Sequence, residues 1–443
     1  MFNDSFFSAF SKKCATLVWW TLAIGMMPSL SWAVPSFARQ TGQNCIACHA
    51  GGQYPELTPY GRLFKLTGYT IGERAVPISA MGVVGSSRMK NVDGVSTSLA
   101  NNGQDPLPTP INKSLSFETG SLFLAGKISD NVGGFVQVTY DRFAAPDANG
   151  DNTIGHSGAD TMDIRFADQI VTPSSNLIYG VSLNNNPSVS DPWNTAWAWA
   201  NYVPATGGKG SNAYIDASTP YPSNGLSGNA AGLSTYLFWN KTFYGELGLY
   251  RTANNSLSFM NAGRDYAPIN GTNPYWRLAY NKEVGMQSFM VGLSGATMHP
   301  YDLVNGVSYS DSSSYYAVKS KGMDFQYQYL LDPHTITVQA MHQNQMTTPS
   351  ALDAAINGTG VSTTNVSRLK SSYVYLAKYG GSLSLFNLSG DVTPTTSGRT
   401  FELFYIPVQN IRLGVQYTTY SQLAYIDNPS DANSIRLYAW FAY

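Results

Sequence analysis

Cys45, Cys48 and His49 are the residues of this chain whose types and spacing can do chemistry together, in the run Cys45-Ile46-Ala47-Cys48-His49. In a C-x-x-C-H run, two thiols one helical turn apart add to the two vinyl groups of a haem, and the histidine directly after them reaches the iron as proximal ligand. The spacing therefore predicts one covalently bound haem c. The rival reading, a zinc site, needs a second pair of soft ligands. The one further cysteine, Cys14, falls in a segment read below as removed, and His156, His299, His334 and His342 form no second metal pattern. The chain also has no glycine loop followed by Lys to cradle phosphate, no G-x-S-x-G and no H-E-x-x-H.

The elements that must position this motif start close to it. Thr58 followed by Pro59 is a good N-cap and first helical residue, and Gly68 a good stop, which predicts a short helix from Pro59 to Thr67. Leu63, Phe64 and Leu66 are its apolar residues and Arg62 and Lys65 its basic ones. Two readings of this helix stand side by side. In one the apolar residues, Phe64 among them, pack on the porphyrin while Arg62, Lys65 or Arg39 meets a propionate; in the other the basic residues are a solvated face. Residues 34 to 75 are too few to bury a haem without disulfides, so something else must enclose it.

Composition says what that is. Charged residues are 12% of the chain, about half the usual share for soluble domains, while aromatics are 13% and tyrosines number 29. The net charge of -1 gives no case for nucleic acid. At the N-terminus, Lys12 and Lys13, an apolar run from Ala15 to Met27 broken by Pro28, and Ser31-Trp32-Ala33 have the layout of a cleaved secretory signal spanning residues 1 to 33, with a mature start at Val34. Beyond it no stretch is long and apolar enough for a spanning helix. A chain poor in charge, rich in Tyr, Gly, Asn, Ser and Thr, and without helical spans is expected to cross a membrane as a β-barrel.

From residue 76 to 443 the sequence alternates. Met323, Phe325, Tyr327 and Tyr329 face one way and Asp324, Gln326 and Gln328 the other; Asp163, Arg165 and Gln169 alternate with Ile164, Phe166 and Ile170; Arg412, Gly414, Gln416 and Thr418 alternate with Ile411, Leu413, Val415 and Tyr417. This period suits a soluble sandwich as well as a barrel. Loop asymmetry separates them. Short connections at Asp130–Gly133, Asn240–Thr242, Asn281–Gly285, Leu331–His334, Tyr379–Ser382 and Pro407–Asn410 alternate with long ones at Asn91–Lys113, Ala144–Asp160, Asn184–Ala231 and Thr252–Asn273, and the chain ends on the aromatic strand Leu437 to Tyr443. The expectation is an all-β fold, a transmembrane antiparallel barrel of about 16 strands, with the mostly helical haem segment as a plug in its lumen.

With these features the chain resembles the fused monohaem cytochrome c and porin proteins of the bacterial outer membrane, known as iron oxidases in iron-oxidising bacteria. The resemblance runs through PSFARQTGQNCIACHAGGQYPELTPYGRLFKLTGY, NNNPSVSDPWNTAWAW, YLFWNKTFYGELGLYRTA, NPYWRLAYNKEVGMQSFMVG, QNIRLGVQYTTYSQ and RLYAWFAY, and so covers the whole chain after the signal. It implies an outer-membrane cytochrome that oxidises extracellular Fe(II) and hands electrons to a periplasmic cytochrome c or cupredoxin. Ferric iron is insoluble near neutral pH, so oxidation at the cell surface keeps the precipitate outside.

Met81 and Met89 share strand parity, and Met81 is the candidate sixth ligand; a Met ligand raises the potential relative to His, which suits an acceptor of electrons from iron. The other reading of both is as ordinary strand methionines. Asp191-Pro192-Trp193-Asn194 is read either as a segment folded into the lumen over the haem or as a loop packed by its own aromatics. Three other functions remain in view: a redox conduit for another donor or acceptor, a porin whose haem is structural or sensory, and a soluble periplasmic cytochrome with an all-β binding domain.

Overall fold

The computed structural model describes residues 35–52, 56–103, 115–141, 156–195, 230–261, 268–301, 303–304, 307–308, 314–392 and 394–443. The expected signal peptide, Cys14 and the cleavage site lie outside these residues, as do parts of the long connections. Pro35–Tyr443 form one compact unit.

Sixteen antiparallel strands close into a barrel in chain order, the last pairing with the first. They are β1 (Ile78–Met89), β2 (Ser116–Lys127), β3 (Val132–Asp141), β4 (His156–Thr172), β5 (Ser175–Asn184), β6 (Ala230–Trp239), β7 (Phe243–Thr252), β8 (Asn273–Val284), β9 (Gln287–Met298), β10 (Ala317–Leu331), β11 (His334–Thr348), β12 (Ser362–Tyr375), β13 (Tyr379–Gly390), β14 (Thr396–Val408), β15 (Ile411–Gln422) and β16 (Ser434–Ala442). Closure at β1 and β16 pairs Met81 with Ala442 and Met89 with Ser434, so no edge is left open.

The wall is inside out compared with a soluble fold. Leu233, Leu247, Leu249, Leu278, Leu293, Leu403 and Leu437 stand exposed on the outward positions, while Asp163, Arg165, Ser182, Arg277 and Gln328 are buried on the inward ones. Near the short turns the outward positions carry aromatic pairs: Trp239 on Phe243, Phe243 on Tyr280, Phe289 on Tyr327 and Tyr379 on Tyr405, with ring centroids 4.8–5.9 Å apart. An apolar band ending in an aromatic girdle, around a polar interior, is the surface of a barrel that spans a lipid bilayer. The all-β binding domain of a soluble cytochrome would bury that band instead. Among the described residues no helix is long and apolar enough to cross a membrane.

The sequence reading needs correction at several connections. The turn between β12 and β13 lies at residues 376–378, not at Tyr379–Ser382, which belong to β13. Leu376 and Ala377 adopt positive φ without any of the usual turn residues, whereas Gly380 sits inside a strand because the Phe404 ring leaves no room for a Cβ there. The connection from Asn91 contains a helix, Val92–Asn101, and further long connections follow β9, β11 and β15.

Candidate functional site

The C-x-x-C-H run is folded by short local interactions. Helix α1 (Ser36–Thr41) ends at Gly42, whose φ of 67° lets its N–H return to the Ala38 carbonyl at 2.9 Å. Cys45–Cys48 form a single turn, α2, closed by the His49 N–H on the Cys45 carbonyl at 2.8 Å. His49 is extended and bridges antiparallel to Leu57. That bridge brings the start of α3 (Pro59–Leu66) onto the motif: the Thr58 N–H donates to the Cys48 carbonyl at 2.9 Å, and the Thr58 hydroxyl caps the helix by accepting from Gly61 N at 3.1 Å. Gly61 is required here, since a Cβ would stand 2.2 Å from the Cys48 carbonyl oxygen. The helix expected from Pro59 to Thr67 is therefore present to within one residue, with Gly68 in the left-handed region after it.

Side chains of this segment bond to residues of strands right round the closed barrel. Arg62 is buried and donates to the Leu57 carbonyl at 3.0 Å, to Gln328 Oε1 on β10 at 2.8 Å and to Ser288 Oγ on β9 at 2.7 Å, and it pairs with Glu283 on β8 at 3.4 Å. Tyr69 donates to Asp163 on β4 at 2.6 Å, and Tyr236 on β6 donates to the Leu66 carbonyl at 2.7 Å. Glu56 pairs with Lys370 on β12 at 2.6 Å. Gln40 uses both ends of its amide: Nε2 donates to the Tyr69 and Ile71 carbonyls at 2.7 and 2.9 Å, and Oε1 accepts from Lys127 N on β2 at 2.8 Å. The Arg62 contacts on β8, β9 and β10 fall near the short turns.

The connection after β5 meets the segment from the other side. Asp191 and Trp193 are fully buried. The Asp191 carboxylate accepts from Trp193 N at 3.1 Å and Thr195 N at 2.8 Å and pairs with Arg277 at 3.2 Å, and Arg277 also forks onto Asp324 with two bonds of 2.8 Å. Trp193 packs edge-on against Tyr244 and Phe238 of the wall. Lys65 closes the junction, donating to the Asp191 carbonyl at 2.7 Å and Asn194 Oδ1 at 3.0 Å. Burial, with the positive Arg165 adding to it, pushes the Lys65 ammonium down to about 7, against the pull of Asp163, Asp191 and Glu246.

The candidate residues thus divide. Cys45 is buried and Cys48 and His49 half-buried, side by side on one turn. Burial, and Cys45 beside it, pushes the Cys48 thiol up to about 11. Phe64 is buried and meets Phe37 edge-on at 4.8 Å and Tyr69 at 5.9 Å. Arg62 and Lys65 are neither a solvated face nor exposed: both cationic ends are engaged by barrel and loop groups. Arg39 reaches the Val76 and Ile78 carbonyls at the start of β1. Met81 is half-buried on the inward face of β1, two residues from Ser79, which meets Ser36 of α1. Met89 instead packs with Val95, Leu99, Tyr420 and Leu423 near the long-loop end. Of the two readings of Asp191–Asn194, the inward fold is the one present.

This donor set suits a covalent haem. Two thiols one turn apart with an adjacent imidazole need no further protein ligand to hold the group, and among the described residues no group of three or more His, Cys, Asp or Glu converges as a metal cage would require. Gln40, Asp163, Gln328 and Ser288 were not singled out from the sequence as partners of the segment. Their signal was only that each occupies a polar position of an alternating strand or a short helix.

No protein-family model and no curated protein matches the chain. Among solved structures it is similar to OmpF of Salmonella typhi in complex with daunomycin, at 12% identity and a TM-score of 0.45, over 83% of this chain and 97% of that one. The outer membrane channel DcaP of Acinetobacter baumannii gives 11% and 0.43 over 83% and 96%, and an anion-selective porin from Comamonas acidovorans 12% and 0.42 over 83% and 99%.

Proposed function

We propose that this protein is an outer-membrane c-type cytochrome that carries electrons across the membrane, oxidising extracellular Fe(II) and passing the electrons to a periplasmic cytochrome c or cupredoxin. The observation that carries the reading is a C-x-x-C-H turn held inside a closed, lipid-facing barrel. Bound to Cys45 and Cys48 with His49 on its iron, a haem c supplies one-electron redox chemistry.

The chain's own residues do the rest. Thr58 and Gly61 fix the turn that carries the two thiols, and Phe37 and Phe64 pack on each other in the same segment. Arg62, Gln40 and Tyr69 hold the segment to the wall, and Lys65 holds it to the connection after β5. The wall keeps it away from lipid. In outer-membrane barrels short turns face the periplasm, so the motif lies on the side where a soluble carrier can reach it.

The test is a stopped-flow spectrum of the oxidised, detergent-solubilised protein mixed with Fe(II), with His49→Ala as control. Reduced haem c bands that rise in the wild type and not in the control are the expected result. A haem that stays oxidised under excess Fe(II) would overturn iron oxidation and leave a conduit for another donor or a porin with a structural haem.

A further inference from the structure

Lys319 and Lys321 are exposed on the outward face of β10, two residues apart on one row. Their outward neighbours in register are Thr297 and Met346 for Lys319, and Gly295 and Asn344 for Lys321, none of them acidic. Among the described residues neither lysine makes an ion pair. Two like charges held side by side without a counter-charge leave a strong local field for an anion.

Their height decides which anion. From the turn at Leu331 to Lys321 the strand rises about 25 Å, taking roughly 3.3 Å per residue and a tilt of roughly 40°, which equals the apolar band of an outer-membrane barrel. Directly below the lysines the same row continues as Met323, Phe325 and Tyr327, with Leu293 opposite Met323 on β9. Beside the lysines the wall turns polar: Asn344 donates to Asn365 at 2.9 Å, and His342 and Ser367 share a hydrogen bond of 2.8 Å. An apolar strip with a cation pair and amides at its upper edge matches an amphiphile with acyl chains below and an anionic, hydroxylated head above.

We infer that the outward face of β10 and β11 at the long-loop end is a binding site for a phosphorylated glycolipid of the outer leaflet, its phosphate on Lys319 and Lys321 and its chains along Met323 and Phe325. This rests on the outer-membrane reading given above. It concerns the opposite face of the wall from the haem motif.

The experiment titrates full-length protein in detergent with fluorescent bisphosphorylated lipid A, and compares wild type, the double variant Lys319→Gln/Lys321→Gln, and Lys282→Gln, an outward lysine at the short-turn end of β8. Heat-modifiable electrophoretic mobility verifies that each barrel is folded. The double variant is expected to bind twenty- to thirtyfold more weakly, roughly the contribution of two lysines to an anionic lipid surface, with Lys282→Gln unchanged. Millimolar inorganic phosphate is expected not to displace the lipid. Equal binding by the double variant and the wild type overturns the inference, as does full displacement by inorganic phosphate, which would mark a site for free anions. Failure of the outer-membrane reading registers separately, as wild-type protein recovered outside the outer-membrane fraction.

Discussion

The two faces of a single strand are built on different rules, and β10 makes the contrast plain. Its outward residues, Met323, Phe325, Tyr327 and Tyr329, sit in a row in which any apolar side chain would serve. Its inward residues have named partners: Asp324 is forked by Arg277, Gln326 accepts from Gln339, and Gln328 donates to the Leu57 carbonyl while accepting from Arg62. Within the apolar band lipid is one environment, so alternation alone specifies those outward positions. The lumen differs at every position, and there specificity comes from pairing.

The largest expected effect breaks the inward pairing. Asp324→Ala leaves the buried Arg277 with Asp191 alone, and removing one partner of a buried ion pair costs about 3–5 kcal/mol. Urea unfolding of the protein in lipid vesicles measures it. The double substitution Arg277→Met/Asp324→Leu should recover only part of that loss, because it removes the stranded guanidinium but leaves the Asp191 carboxylate with backbone donors and without its cation. A single variant as stable as the wild type would mean that the lumen does not depend on charge pairing at these positions.

The outward face is broken differently. Leu247 stands 67% exposed in the middle of the outward row of β7. On a soluble protein Leu→Arg at such a position is close to neutral, whereas at the midplane of a bilayer it costs about 2–4 kcal/mol. The same vesicle assay on Leu247→Arg, with Leu247→Met as a control expected to change little, decides between the two. Water-like tolerance of the arginine would contradict the lipid-facing reading of the whole wall.

This contrast also governs what could be read in advance. The strand number, the barrel and the outward rows followed from period and loop asymmetry, which are local properties. The C-x-x-C-H run stood out because three chemical groups lie within five consecutive residues, and helix α3 was legible because Thr58-Pro59 and Gly68 bracket it. Partners across the lumen were not legible: Arg62 and Gln328 are 266 positions apart, and only closure of the barrel brings them together. The solvated-face reading of Lys65 and Arg62 failed because a basic side chain on a short helix carries no sign of the groups that will cover it. The β12–β13 turn was misplaced because Leu376 and Ala377 have no turn chemistry of their own, while Gly380 and Gly381 imitate it.

Lys65 gives a smaller, pH-dependent test. Its ordinary value of 10.5 falls to about 7 in the folded protein. Below pH 7 it is protonated both folded and unfolded, and the cost of burying the charge is fully present. Between about 7 and 10.5 the unfolded chain holds a proton that the folded one has released, so stability rises with pH. The expected gain is roughly 2 kcal/mol between pH 7 and 9, seen as a higher denaturation midpoint. Lys65→Met should flatten that slope. An unchanged slope in the variant would assign it to other groups and remove Lys65 from the set of strained inward contacts.

The finest version of the comparison uses one side-chain type on both faces. Thr58 faces the lumen, where its hydroxyl accepts from Gly61 N and donates to the Ala47 carbonyl, so it ties the cap of α3 to the turn that carries the thiols. Thr235 is exposed on the outward row of β6. Thr58→Ala should cost about 1 kcal/mol, the usual loss for an N-cap, and Thr58→Ser should restore most of it because the oxygen returns without the methyl. Thr235→Ala should stay within about 0.5 kcal/mol. Equal losses at the two positions would mean that the cap contributes no more than strand propensity does, and that the thiol-bearing turn is tied to this stretch by its backbone bonds to Glu56 and Thr58. A loss confined to Thr58, with serine rescue, makes the hydroxyl the link between helix and motif, since the backbone donor from Thr58 to Cys48 is the same in all three proteins.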